Sequence, residues 1–191
     1  MTGAPRSAVG AVVLAGGTSR RWDGTDKTRA VVDGRALLDH ALAALPTEAA
    51  VVVVGPERPT PRPVRWTREE PAGAGPAAGL QAGLRALPDD LPVVVLAADL
   101  PRAAALVDTL LSAPLGGGAR VLADESGRAH WTSALLSPDA ARTVRDLPDL
   151  ADASLHSVFA HLDVTLAPAP AGATHDLDTP DDLRTLQEDR P

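Results

Sequence analysis

Apolar positions fall along this chain in two alternating patterns. Val9–Ala15, Ala49–Val54 and Pro92–Ala98 are short, nearly unbroken apolar runs. A strand with one wet face would alternate, so such runs point to strands covered on both faces. Between the first two, Arg35–Leu45 carries apolar residues at 37, 38, 41, 42 and 45, the spacing of a helix with one buried stripe. Pro76–Leu87 and Pro101–Leu111 also read as helices. Val64–Thr67 reads as a short strand after a rigid surface turn over Pro56–Pro63, which holds four prolines. Alternating buried strands and amphipathic helices predict an α/β fold, a mostly parallel sheet with helices on both faces.

The second half is less regular. Arg120–Ala123, Trp131–Leu136 and Val164–Ala167 read as strands, with helices over Leu155–Leu162 and Asp181–Glu188. Ser137-Pro138 is a helix start, Ser as the capping residue and Pro at the first helical position. A Pro/Ala/Gly turn follows at 168–173. No repeat or linker interrupts the chain, so residues 1–191 are expected to form a single domain.

Composition narrows the function. There is no Cys, which removes disulfides, thiolate metal sites and Cys nucleophiles. Eighteen Lys and Arg against 25 Asp and Glu give a net charge of −7, the wrong sign for a general DNA or RNA binder. Three Trp, one Phe and no Tyr leave few platforms for stacking single strands. No apolar stretch approaches the roughly 20 residues that cross a bilayer, and no signal peptide stands at the N-terminus. The expectation is a cytoplasmic protein, with no nucleic acid or membrane as partner, whose phosphate ligand is small and locally cradled.

Leu14-Ala15-Gly16-Gly17-Thr18-Ser19-Arg20-Arg21-Trp22-Asp23-Gly24-Thr25-Asp26-Lys27 is the stretch that supplies such a cradle. Adjacent glycines after a buried strand let backbone N–H groups approach an anion with no Cβ in the way. Arg20, Arg21 and Lys27 add positive charge in the same loop. Ligands of open α/β sheets bind at the carboxyl ends of strands, where this loop lies. Neither a G-x-G-x-x-G dinucleotide loop nor a correctly spaced Walker A is present.

Leu14–Lys27 resembles the L-A-G-G-x-S-x-R-M-G-x-D-K signature of the MobA-like nucleotidyltransferases. The resemblance continues through Gly34–Leu38, Gly75-Pro76-Ala77-Ala78-Gly79-Leu80, Leu96–Pro101 and Asp176–Leu183, in the family's order. It implies a Rossmann-like nucleotidyltransferase fold, a nucleoside triphosphate (GTP favoured) with Mg²⁺ as ligands, and pyrophosphate as product. By position, Leu14, Ala15, Gly16 and Gly17 would line the nucleotide, while Arg21 and Lys27 would contact its triphosphate. Trp22 stands where Met is usual, and one extra residue separates Arg21 from Lys27.

Asp99 closes the Pro92–Ala98 strand, so its carboxylate falls on the same rim as the glycine loop. Mg²⁺ favours one or two carboxylates plus phosphate oxygens and water. In isolation Asp99-Leu100-Pro101 reads as a turn; the family's A-x-D-x-P pattern makes Asp99 the metal ligand. Asp176 and Asp178 are the second carboxylate source, Asp176 slightly favoured. Thr179, Pro180 and Asp182 are explained by helix capping alone, which is equally open for Asp178.

Gly75 opens the segment that the resemblance packs against the nucleotide. The family's base-reading Asp falls by position at Arg68, beside Glu69 and Glu70, so either the alignment slips by one or the base is read differently; guanine is favoured by the Gly75-Pro76 segment without being fixed. By the resemblance, Arg128–Ser133 and the helix at 155–162 occupy the region where the family contacts the acceptor, but Trp131-Thr132-Ser133 matches no motif, and the histidines lack metal-ligand spacing. The resemblance implies a molybdopterin-type acceptor and transient contact with molybdoenzymes. Arg21, Lys27 and Asp99 would carry catalysis, by in-line attack of an acceptor phosphate on the α-phosphorus. A cytidylyltransferase, another small-molecule transferase of the family and a non-catalytic nucleotide-binding protein stay open.

Overall fold

The computed structural model describes residues 8–16, 28 and 30–175. Its strands are β1 (Gly10–Leu14), β2 (Val31–Val32), β3 (Arg35–Ala36), β4 (Ala50–Val54), β5 (Arg65–Thr67), β6 (Val93–Ala97), β7 (Ala119–Ala123), β8 (Ala129–Leu136) and β9 (Val164–Pro168). Its helices are α1 (Leu37–Ala44), α2 (Pro76–Arg85), α3 (Ala103–Leu110), α4 (Pro138–Asp146) and α5 (Leu155–Phe159). Asp181–Glu188 lies outside the described residues.

Seven strands form one sheet in the order β5-β4-β1-β6-β8-β7-β9. β5, β4, β1 and β6 run parallel, β8 is antiparallel to both its neighbours, and β9 is parallel to β7. The unbroken apolar runs are accounted for: Val12, Val53 and Val93 to Leu96 are fully buried between two helical layers. One core, around Leu38, Leu42, Val94, Leu96 and Leu106, lies under α1 and α3. The other, around Val12, Leu80, Leu84, Val95, Val144 and Phe159, lies under α2, α4 and α5.

Three local outcomes differ from the periodicity. Arg35 and Ala36 belong to a hairpin with Val31 and Val32, not to the helix. Asp33 and Gly34 both take positive φ (53° and 72°), the Asp-Gly turn that joins two short strands tightly. The helix at 155 ends at Phe159, capped at its start by Ser154, whose Oγ accepts from Ser157 N. α3 starts at Ala103, after a turn through Pro101 and Arg102. Ser137 caps α4 as its sequence predicts, accepting from Ala140 N at 3.1 Å. The proline segment is fixed by Arg62, which donates to the carbonyls of Pro46, Thr47 and Ala49 at the end of α1.

α2 rides unusually close to the sheet. A Cβ on Gly83 would sit 2.5 Å from Val12 Cγ1 and 3.0 Å from Val54 Cγ2, and both valines are buried. Gly83→Ala should therefore destabilise the protein, although Ala is the better helix former by about 1 kcal/mol. Overpacking costs about 1–3 kcal/mol, and branched side chains on a central strand have little room to yield, so the net loss is about 1–2 kcal/mol. A urea melt checks this; a midpoint equal to wild type would mean that α2 lifts off without penalty.

Candidate functional site

The carboxyl ends of four strands make one rim. Consecutive backbone hydrogen bonds stitch their exits together: Gly55 N donates to Thr67 O, Ala15 N to Val54 O, and Ala98 N to Leu14 O, each 2.9–3.0 Å. The last of these carries the β1–β6 ladder to the residue before Asp99. Leu14–Gly16 and Asp99 are thus brought to adjacent places by main-chain pairing alone. From β1 the chain goes to β4 and β5 on one side, then crosses back to β6 on the other. The crevice outside β1 and β6 is therefore the sheet's topological switch point, where open α/β sheets bind ligands.

Asp99 is 8% exposed. Ala15 is buried, Leu14 half-buried and Gly16 exposed, so the backbone after β1 emerges from the core at Gly16. Gly55 sets that emergence: its φ is +151°, and a Cβ there would fall 2.9 Å from the carbonyl of Ala15. Main chain cannot yield as a side-chain tip can, so only glycine lets β4 leave the sheet against Ala15. The sequence marks this residue merely as the end of a strand.

Two more polar residues, Arg58 and Glu69, stand at this rim. Arg58 Nη1 donates to Thr28 Oγ1, and its guanidinium lies 5.9 Å from the Trp66 ring. Thr28 is 4% exposed, so the residue following Lys27 is held on the β4–β5 side of the rim. Glu69 follows β5 and is half-buried. Its Oε1 accepts from Gly73 N at 2.8 Å, and its Oε2 lies 3.9 Å from where a Cβ on Gly79 would sit. The carboxylate therefore sits at the first turn of α2, where the helix dipole favours negative charge. Arg68, the position singled out for base reading, is exposed beside it. Gly75 precedes α2 with φ +94° and Pro76 at the first helical position.

At the far end of the rim, Asp124 holds the β7–β8 turn. It accepts from Ser126 Oγ (2.6 Å), Ser126 N and Arg128 N, and pairs with His130 Nε2 (3.1 Å). The Ser126 hydroxyl first, then His130, hold its carboxyl well below the usual carboxylate range. It is a turn anchor rather than a proton donor.

Gly17, Arg21, Lys27, Asp176 and Asp178 lie outside the described residues. Among the described residues no three His, Cys, Asp or Glu cluster as a self-sufficient metal site. The buried carboxylate of Asp99 at the strands' carboxyl-end rim would fit Mg²⁺, which takes one or two carboxylates and fills its remaining positions with phosphate oxygens and water. No helix among the described residues is long and apolar enough to cross a membrane.

Comparison with known proteins agrees with this fold. Residues 11–166 match the model of the MobA-like NTP transferase domain. A molybdenum cofactor guanylyltransferase of Acidiphilium cryptum is 34% identical over 135 residues, covering 65% of each chain; the match thus spans just under two thirds of that relative's length. Molybdopterin-guanine dinucleotide biosynthesis protein A of Archaeoglobus fulgidus has the same fold, with TM-score 0.69 at 21% identity over 94% of this chain and 97% of that one. So does a Mycobacterium tuberculosis protein crystallised with manganese, with TM-score 0.65 at 15% identity over 96% of this chain and all of the other.

Proposed function

We propose, since this chain belongs to the MobA-like NTP transferase family, that it is a metal-dependent nucleotidyltransferase moving GMP from GTP to a molybdopterin-type acceptor and releasing pyrophosphate. The observation that supports it most is the stitched rim, which puts buried Asp99 beside the backbone emerging at Ala15 and Gly16. Amides of the glycine loop, with Arg21 and Lys27, would take the triphosphate. Asp99 would hold Mg²⁺, with Asp176 or Asp178 completing the carboxylates. Bound there, the ion would supply positive charge against the phosphate oxygens. An acceptor phosphate needs almost no deprotonation near neutral pH. The chain's work is therefore to align it with the α-phosphorus and to stabilise the departing charge.

Guanine is supported by Glu69. A carboxylate accepts well from the adjacent N1–H and N2–H₂ donors of guanine, whereas the same edge of cytosine offers one amino donor, N4–H₂, beside the N3 and O2 acceptors. Glu69→Gln keeps the shape but turns half of the acceptor pair into a donor. It should raise the KM for GTP about 10-fold or more, on the scale of one charge-assisted hydrogen bond, and narrow the preference over CTP. Equal GTP and CTP kinetics in wild type and variant would transfer the base-reading role to another residue, Arg68 being next.

The reading as a whole is tested by incubating the protein with Mg²⁺, molybdopterin and each of GTP, CTP and ATP. A guanylyl dinucleotide product is expected. A cytidylyl product would make it a cytidylyltransferase. Nucleotide binding with no product would leave only a binding protein.

A further inference from the structure

We infer that Arg58 is a positioning residue for nucleotidyl transfer: by holding Thr28 from the exit of β4, it sets where Lys27 meets the triphosphate; this rests on the nucleotidyl-transfer reading above. Lys27 is joined to Thr28 by one peptide bond, so whatever fixes Thr28 bounds the reach of the Lys27 ammonium. Thr28 is 4% exposed. A hydroxyl at that depth is costly unless it is bonded, and here it accepts from Arg58 Nη1, 30 positions along the chain. A hydrogen bond from an ionised donor is stronger than one between neutral groups. The chain after Thr28 is fastened to α1: Leu37 N donates to Ala30 O at 3.0 Å, and His40 Nε2 lies 2.8 Å from Val32 O. Those contacts join the β2–β3 hairpin to the helix that follows it. The Arg58–Thr28 bond reaches from the start of that unit across the rim to the β4–β5 side.

Arg58 is itself stiffly placed. It comes three residues after Gly55, between Pro56 and Pro59. Each proline fixes its own φ, and Pro59 also steers Arg58 away from helical conformations. The side chain is braced twice: Nε donates to Pro56 O at 3.3 Å, and the guanidinium stands 5.9 Å from the centroid of the Trp66 ring, within reach of a cation–π contact. Trp66 in turn packs against the core under α1 and α3. Arg62 pins the far end of the same segment to the carbonyls of Pro46, Thr47 and Ala49. Pro56, Pro59, Pro61 and Pro63 are all exposed, so they fill no core; what they supply is backbone stiffness. The segment is thus a rigid bracket, clamped to the body by one arginine and reaching Thr28 with the other. Arg58 is half-buried and turned onto Thr28 and Trp66, so it acts through Thr28 and not on a phosphate directly. A cation on a free chain gives up conformational freedom when it meets a triphosphate, and fixing its neighbour beforehand removes part of that cost. Placement matters at this scale, since a shift of about 1 Å in a reacting geometry can cost about 10²-fold in rate.

The test is a double-mutant cycle between Thr28→Val and Lys27→Ala, read as kcat and as the separate KM values for Mg-GTP and molybdopterin. Thr28→Val nearly keeps the side chain's shape and removes its hydroxyl. It should lower kcat about 10-fold and leave the molybdopterin KM unchanged. Thr28→Ser should recover most of that loss. Arg58→Ala should match Thr28→Val, and Arg58→Lys should recover only part, because an ammonium lacks the planar fork. In the Lys27→Ala background, Thr28→Val should cost less than about 2-fold more, since no ammonium is left to place. Arg58→Ala in the same background carries the test should Thr28→Val not fold. A loss that multiplies in full through the Lys27→Ala background overturns the inference, because a merely structural bond would act that way. So does an unchanged kcat in folded Thr28→Val and Arg58→Ala. Both of those results leave wild-type dinucleotide formation standing. A wild type that makes no dinucleotide, or a Lys27→Ala enzyme with wild-type turnover, overturns the parent reading first, and this inference with it.

Discussion

Asp99→Ala is expected to lower turnover about 10²-fold or more while the melting temperature stays within a few degrees of wild type. One preorganised electrostatic contact to a transition state is worth roughly 10²–10³ in kcat, and the loss of a metal carboxylate belongs at that scale or above. The fold should tolerate the change. Asp99 follows the last residue of the β1–β6 ladder, and the bond from Ala98 N to Leu14 O that fixes this exit is main chain. The side chain is small and 8% exposed, so its removal leaves little void and lifts a buried charge out of the core margin. Asp99→Asn separates charge from shape: it should be nearly as slow as the alanine variant. Both should need more Mg²⁺ for half-maximal rate, read by pyrophosphate release. Wild-type turnover in either variant would remove Asp99 from the chemistry.

Lys27→Ala is expected to cost a similar factor, about 10²-fold or more in kcat. The loop carries Arg20, Arg21 and Lys27 in a protein of net charge −7, so its cations are a local exception that a triphosphate would need. Lys27 is one peptide bond from Thr28, which is buried and bonded to Arg58. An ammonium one residue from a fixed point loses less freedom on meeting a phosphate than one on a free loop. Lys27→Arg keeps the charge but replaces a compact point charge with a planar fork, and should recover only part of the rate. If Lys27 and Asp99 act on one bound nucleotide, the double variant will be much less impaired than the product of the single losses. Independent, multiplying losses would place them at separate tasks.

How far the sequence could be read depended on which physical signal each element carries. β1, β4 and β6 were legible because burial on both faces forces unbroken Val, Ala and Leu runs, and the helices because one buried stripe repeats every 3.6 residues. The β2–β3 hairpin was misassigned because Arg35 and Ala36 abut the helical stripe beginning at Leu37, and the stripe outweighed the Asp33-Gly34 turn. Strand direction has no periodicity signal, so the antiparallel placement of β8 emerges only from pairing, as does the register shift between β7 and β8 after Val121. On the site side, the rim position of Asp99 was legible from its place after a strand, whereas a metal role for it is implied by the family's pattern alone. Sequence left the choice between Arg68 and Glu69 open, because which of them turns toward α2 depends on the turn that follows, where Gly73 N donates to Glu69 Oε1. Gly55 and Arg58 owe their importance to contacts with Ala15 and Thr28, 40 and 30 positions away, which no local pattern records.

The central claim is that one metal-bound nucleotide spans the glycine loop and Asp99 across the switch point. A crystal structure with Mg²⁺ and a non-hydrolysable GTP analogue tests it most directly. The expected result is a metal about 2.0–2.1 Å from an Asp99 carboxylate oxygen, bridging to phosphates that rest on the backbone of residues 14–17 and on Lys27. A nucleotide bound elsewhere on the sheet, or a metal held without Asp99, would contradict it.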